Sequence, residues 1–306
     1  MRVDCHCDTV TYFNDFSTLE YLPGAHMDYR RLREYLDVSV FAIFLDQLVY
    51  GDRLVPAFQD ILNRLRMDVN RQSEIDFLLW QEQVTSPQHT LILIGMEGAE
   101  PLGDHCEHLE EYVSQGLRLV GLTWNHPTRY GGSNQSGGGL TDQGQQLVAR
   151  CNELGVVLDA AHCSEETLDD LLACSEQPIL DSHTVCAAVC NDFPRSISDR
   201  QLIALADKGG VAAITMVPDF LGHGGGLDVF CQHVEHAVGL IGSRHVAIGG
   251  DYDGCQMVPE LAGVEHLPQV YHRLRQRGMN EMDVQQVMGG SVQALLEKVL
   301  LPKPRR

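Results

Sequence analysis

Residues 156–162 read VVLDAAH and residues 178–183 read PILDSH. Each is a short apolar run that ends on a histidine. The same form recurs at residues 90–97 (TLILIGME) and 245–251 (HVAIGGD), which end on Glu97 and Asp251. It opens the chain as well, where residues 3–8 (VDCHCD) carry His6 and Asp8. Further strand candidates lie at residues 38–45, 118–123 and 210–216. Short apolar runs separated by amphipathic stretches mark βα units and a parallel sheet. About eight such units is the count of a closed barrel. The expected fold is therefore α/β, a (β/α)8 TIM barrel, with residues 1–306 forming one domain.

The stretches between the strands support this. Residues 56–70, 141–154, 165–175, 198–208 and 228–241 place apolar residues three to four apart, the period of a helix with one buried face. Thr141, Ser164 and Ser198 stand where capping residues are expected. Three loops would rim one end of the barrel. Residues 131–139 (GGSNQSGGG) read as a flexible loop or lid too glycine-rich to pack, and residues 221–226 and 255–266 follow the last two strands.

The 306 residues are 44% hydrophobic, enough for a large core, and carry a formal net charge of −20. That charge argues against nucleic acid or an anionic membrane as partner. No apolar stretch is long enough to span a bilayer, and MRVDCHCD enters a strand at once with no signal-like run. The expected location is cytoplasmic. The ten cysteines are scattered, several inside strands or helices, and read as small buried hydrophobes. Alternation along residues 3–8 would turn His6 and Asp8 to one face, and Cys5 and Cys7 to the other.

In a parallel barrel the C-terminal strand ends converge on one mouth. His6, Asp8, Glu97, His162, His183 and Asp251 would all arrive there. His6 and Asp8 can grip one Zn²⁺-like cation, His162 and His183 a second, and the two oxygens of Glu97 can bridge them. Co²⁺ or Mn²⁺ would suit the same donors. A water held between two such ions has a lowered pKa, and Asp251 is placed to take its proton and return it to a leaving group. Many barrel hydrolases bridge their metals with a carboxylated lysine. Here the only lysines are Lys208, Lys298 and Lys303, none at a strand end, which leaves Glu97 for that role.

These residues resemble the membrane (renal) dipeptidase family, the zinc-dependent M19 peptidases. The resemblance runs through DCHCDT, LIGMEGAEPL, RLVGLTWNH, PILDSHT, RSISDRQL and HVAIGGDYDG. It implies two zinc ions, His6 and Asp8 on the first, Glu97 bridging, His162 and His183 on the second, and Asp251 as acid/base. Arg195, opening RSISD, matches the family's arginine for the substrate carboxylate, a task suited to its planar fork. The implied reaction is hydrolysis of a dipeptide, including one with a C-terminal D-residue. The alternative is a related barrel amidohydrolase acting on N-acyl amino acids, lactams or lactones. Two positions depart from the family pattern. Trp124 stands where renal enzymes have a substrate-contacting histidine, with His126 two residues on as a substitute donor. Gly289-Gly290-Ser291 replaces GGN, a change expected to alter only local hydrogen bonding. The resemblance is compatible with a homodimer.

Other histidines and acids read more plainly. His233-Val-Glu-His236 matches no zinc-helix order and is expected on a solvated helix face. His105 and His108 read as surface residues. Asp253 is either a support for a ligand histidine or lies past the strand end. Trp124 and Tyr252 serve barrel packing or substrate contact, and Asn125 and Asp181 are candidate supports.

Overall fold

The computed structural model describes residues 1–190 and 193–304. Eight parallel strands form the barrel: β1 (Val3–Cys7), β2 (Val38–Phe44), β3 (Thr90–Glu97), β4 (Leu117–Gly121), β5 (Val157–Asp159), β6 (Leu180–Cys186), β7 (Val211–Thr215) and β8 (Val246–Gly249). They pair in that order. The circle closes where Asp8 donates its N–H to the Tyr252 carbonyl (2.8 Å) and Asp251 donates to the His6 carbonyl (3.0 Å). The fold is a (β/α)8 barrel.

Side-chain alternation divides the apolar residues into two layers. Val3, Cys5, Val38, Val40, Leu91, Leu93, Leu119, Val157, Leu180, Val211, Ala213 and Ala247 fill the barrel interior. The opposite faces, with Phe41, Ile43, Ile92, Ile94, Val120, Leu158, Ile214 and Ile248, pack under the helices. The ring includes helices Leu54–Val69, Asp142–Leu154, Glu165–Cys174, Asp199–Asp207 and Leu227–Ile241. Three begin as their caps foretell. Thr141, Ser164 and Ser198 accept from the backbone N–H of Gly144, Thr167 and Gln201, each worth about 1 kcal/mol to its helix.

Several elements are visible only in the structure. Strands Ile75–Phe77 and Ser196–Ile197 lie off the barrel path, beside β3 and β6. The final helix, Ser291–Val299, brings Val292, Leu295, Leu296 and Val299 to the inner cluster and plugs the barrel at the strand starts. Gly289 makes this fit possible: its φ is 153°, and a β-carbon there would strike the Met1 carbonyl. Ser291 donates its hydroxyl to the Val246 carbonyl (2.8 Å).

The loop at 131–139 does pack, contrary to expectation. Ser133 bridges to Cys163 and Gly131 to Leu140. Gly132 lies so close to the carbonyls of Gly137 and Gly138 that no side chain would fit. Glycine here permits close backbone approach rather than disorder. No helix among the described residues is long and apolar enough to cross a membrane.

Candidate active site

The barrel mouth opens into a cavity of about 650 Å³. Asp8, Glu97, His162, His183, Arg195 and Asp251 line it, and His6 lies buried beneath. His6 Nε2 stands 3.6 Å from Asp8 Oδ2, 3.7 Å from Glu97 Oε2 and 3.9 Å from Asp251 Oδ1. The other Glu97 oxygen, Oε1, is 2.9 Å from His162 Nε2 and 3.6 Å from His183 Nε2. The two carboxylate oxygens of Glu97 thus face two separate groups of donors. Donor atoms of His6, Glu97 and His183, and of His6, Asp8 and Asp251, each lie within 4.8 Å of one another.

The donor set fits divalent cations. His6 has no hydrogen-bond partner at either ring nitrogen, although both are buried. His162 Nε2 and His183 Nε2 point at each other across 3.0 Å. Burial, with help from the Arg195 and His6 charges, holds both histidines well below the usual imidazole pKa, so they are neutral. Two lone pairs and a carboxylate gathered without a cation would be costly to bury. Gly254 covers the other side, where a β-carbon would collide with the Asp8 and Asp251 carboxylates.

The sequence profile of the membrane dipeptidase family, peptidase family M19, matches residues 1–303. The chain belongs to this family. As an M19 member it is a hydrolase of the metallopeptidase class. Dipeptidase verJ of Clonostachys rogersoniana is 31% identical over 68% of this chain and 55% of its own length. The chain spans about half the length of several curated relatives that it matches. Among solved structures, dipeptidase AC, a family M19 metallopeptidase, is 26% identical with a TM-score of 0.90 over 98% of both chains. A Rhodobacter sphaeroides metallopeptidase liganded with a phosphinate mimic of L-Ala-D-Ala is 24% identical. Its TM-score is 0.88 over 97% of this chain and 99% of its own, a likeness of fold.

Within this M19 site the backbone is bent to aim the donors. His162 lies three residues past β5 with φ 65°, and Asp251 follows β8 with φ 57°. Left-handed backbone at such residues costs energy and clusters at functional positions. His183 stands inside β6, not at its end, because the strand runs on to Cys186. In β1, three residue steps from Asp4 to Cys7 face two steps from Ser39 to Phe41. That one-residue bulge overturns simple alternation: Cys5 faces the barrel interior and Cys7 the helices.

Charge in the mouth is strongly perturbed. Burial opposes protonation of His6, yet Glu97, Asp8 and Asp251 together push it up to about 10. Burial, with the Asp8 and Glu97 charges, lifts Asp251 to about 7 against the pull of His6. Glu97 is also raised, first by burial. Such crowding of acids is the electrostatic signature of a site built for positive charge.

The remaining residues fall as follows. Arg195 is 8% exposed, and its Nε and Nη2 have no partner. Trp124 lines the cavity and packs on Phe44 with ring centroids 4.4 Å apart. His126 lies behind Trp124, against a small gap shared with Phe44, Glu97 and Glu100. Tyr252 is fully buried in the packing. Asp253 supports no ligand histidine. It accepts from Thr9 Oγ1 (2.7 Å) and the His26 N–H (2.6 Å). His233 is not on a solvated face. It is fully buried, accepting from the Cys186 N–H and reaching the Leu221 carbonyl, a satisfied core histidine.

Sequence reading missed the apolar wall of Phe44, Phe193, Val217 and Phe220, whereas the 131–139 loop does rim the cavity as expected, through Asn134 and Gln135. It also missed two buried acids beneath the ligands, Asp4 and Asp159. Asp4 accepts from the Gly250 N–H (2.7 Å) and Ser39 Oγ (3.0 Å), tying β1 to β2 and to the turn that carries Asp251. Asp181 was already a candidate support, and the repeated LD preceding His162 and His183 was a usable signal for Asp159 as well.

Proposed function

We propose that this chain is a binuclear zinc dipeptidase, with His6 and Asp8 on one ion, His162 and His183 on the other, and Glu97 between them. The observation that carries this reading is the split of the Glu97 carboxylate, one oxygen toward His6 and one toward His162 and His183. A bound metal pair would supply Lewis-acid polarisation of the scissile carbonyl and an activated water. Co²⁺ or Mn²⁺ would fit the same donors. Asp251 borders the cavity, 3.9 Å from His6 Nε2, and would carry a proton from the attacking water to the departing amine. Arg195 would hold the substrate's free carboxylate in a two-pronged hydrogen bond, which limits substrates to short peptides with an open C-terminus. Trp124 and Phe44 would shield the reacting centre from bulk water. His126, behind Trp124, would act only through that ring. A C-terminal D-residue is within the proposed substrate range.

Metal analysis of purified protein, with activity before and after chelation, tests the first half. A panel of L,L- and L,D-dipeptides beside N-acyl amino acids, lactams and lactones, run with added Zn²⁺, tests the second. Turnover confined to N-acyl or cyclic substrates would overturn the dipeptidase reading in favour of a barrel amidohydrolase.

A further inference from the structure

β5 and β6 share only one register pair, Asp159 with Leu180. Yet these strands lead to the two histidines that must converge most closely, His162 and His183. Backbone pairing alone leaves that junction thin. The Asp159 carboxylate completes it. Its Oδ1 accepts from the Ala161 N–H (3.0 Å), one residue before His162, and from the Ser182 N–H (2.9 Å), one residue before His183. Its Oδ2 accepts from Ser182 Oγ (2.5 Å). One buried carboxylate therefore fixes both histidine-bearing segments.

The same network reaches an imidazole. Ser182 Oγ lies 2.9 Å from His183 Nδ1. That contact between adjacent residues is allowed by a second bulge: three steps from Asp181 to Thr184 on β6 face two steps from Ala212 to Ile214 on β7. A serine has one hydroxyl proton. It goes to Asp159, so the His183 contact must run the other way, with Nδ1–H donating to Oγ. Nε2 is then left bare, directed at Glu97 and His162.

We infer that Asp159 and Ser182 are positioning residues that hold His183 in the Nδ1–H tautomer and keep Nε2 free as a metal donor. This rests on the metal reading above. It makes a sharp distinction between two nearly isosteric variants. In Asp159→Asn, Oδ1 keeps both backbone bonds, so the fold is retained. The new amide N–H₂, however, donates to Ser182 Oγ. The hydroxyl must then donate to His183 Nδ1, and the imidazole proton moves to Nε2, where it blocks the metal. Ser182→Ala removes the relay without reversing it, and Ser182→Thr restores it.

Two measurements test this. The first is ¹⁵N–¹H NMR of histidine-labelled protein stripped of metal, with His183 assigned by comparison with His183→Gln. The native chain should show His183 as the Nδ1–H tautomer, and Asp159→Asn should show Nε2–H. The second is Zn²⁺ titration against a chromophoric chelator. Outer partners of metal-binding histidines are worth about 10–100-fold in affinity. Asp159→Asn and Ser182→Ala should weaken one of two zinc equivalents by about that factor and leave the other unchanged, and Ser182→Thr should recover it. An unshifted tautomer in Asp159→Asn, or equal weakening of both equivalents, would overturn the inference. A native chain that binds no zinc would instead sink the metal reading itself.

Discussion

Arg195 is a cation paid for in advance. It is nearly buried, and two of its nitrogens, Nε and Nη2, have no hydrogen-bond partner while the residue borders the cavity. A substrate carboxylate would satisfy both. Hydrogen bonds to charged groups are worth about 1.5–3 kcal/mol each, so two at the lower figure give about 3 kcal/mol. Arg195→Ala should therefore lower kcat/KM for a dipeptide by about 150-fold, mostly through KM, because the contact is the same in ground and transition states. The native enzyme assayed on the corresponding dipeptide amide should lose a similar factor. The decisive measurement is the combination. If both changes remove one interaction, Arg195→Ala should treat the free acid and the amide nearly alike, a coupling of about 3 kcal/mol in the double-perturbation cycle. Multiplicative losses, with the variant still favouring the free acid by the native ratio, would show that the guanidinium acts elsewhere.

Asp251→Asn should keep its metal by elemental analysis and lose about 10²–10⁴-fold in kcat, the usual worth of a positioned acid/base; a near-native rate would remove Asp251 from proton transfer. Glu100 gives a pH prediction. Burial first, then the Asp46 and Glu97 charges, push its carboxyl from 4.5 to about 7. Between those values the folded chain holds a proton that the unfolded chain releases, so stability is fully present below 4.5 and falls as pH rises toward 7. The side chain is only partly enclosed, which reduces the effect to roughly 1–2 kcal/mol. Glu100→Gln should accordingly raise Tm by a few degrees (~2–6 °C) at pH 8 and not at pH 4.5, by scanning calorimetry; an equal shift at both would refute the burial argument. Finally, the wall of Phe44, Trp124, Val217 and Phe220 should favour a bulky apolar side chain over glycine by about tenfold or more in kcat/KM. Equal turnover of glycine dipeptides would contradict it.

The barrel, and the six side chains that meet at its mouth, were legible because both depend on local patterns. Eight apolar runs announce eight strands, and Thr141, Ser164 and Ser198 announce helix starts through hydrogen bonds only three residues long. The plug helix Ser291–Val299 was not legible in the same way. Its partners, such as Val3 and Val211, are remote in sequence, so nothing nearby shows which face it buries. His233 misled for a similar reason. Its helix looked solvated at that position until β6 and the Leu221 turn arrived to bond both ring nitrogens.

The bulges explain what periodicity could not show. A regular strand places its side chains along a cylinder wall, whereas cations need donors gathered to points a few ångströms across. Of these six residues, only Glu97 sits at the end of a strand that itself carries no extra residue, with the inward face that alternation assigns it. His6 and His183 each lie inside a one-residue bulge, and His162 and Asp251 take left-handed backbone past their strands. Each departure costs ladder hydrogen bonds or strain, of order 1–3 kcal/mol for each strained residue. The buried carboxylates answer that cost at the same places. Asp4 ties the β1 bulge to the Gly250 N–H beside Asp251, and Asp159 ties the β6 bulge to the Ala161 N–H beside His162. The re-aimed donors and the acids under them are therefore one device, in which the bulge supplies direction and the carboxylate supplies rigidity. It follows that a substitution at Asp4 should disturb the His6–Asp251 side of the mouth and spare the His162–His183 side. A zinc titration of Asp4→Asn that weakened the opposite equivalent would break this pairing of acid to bulge.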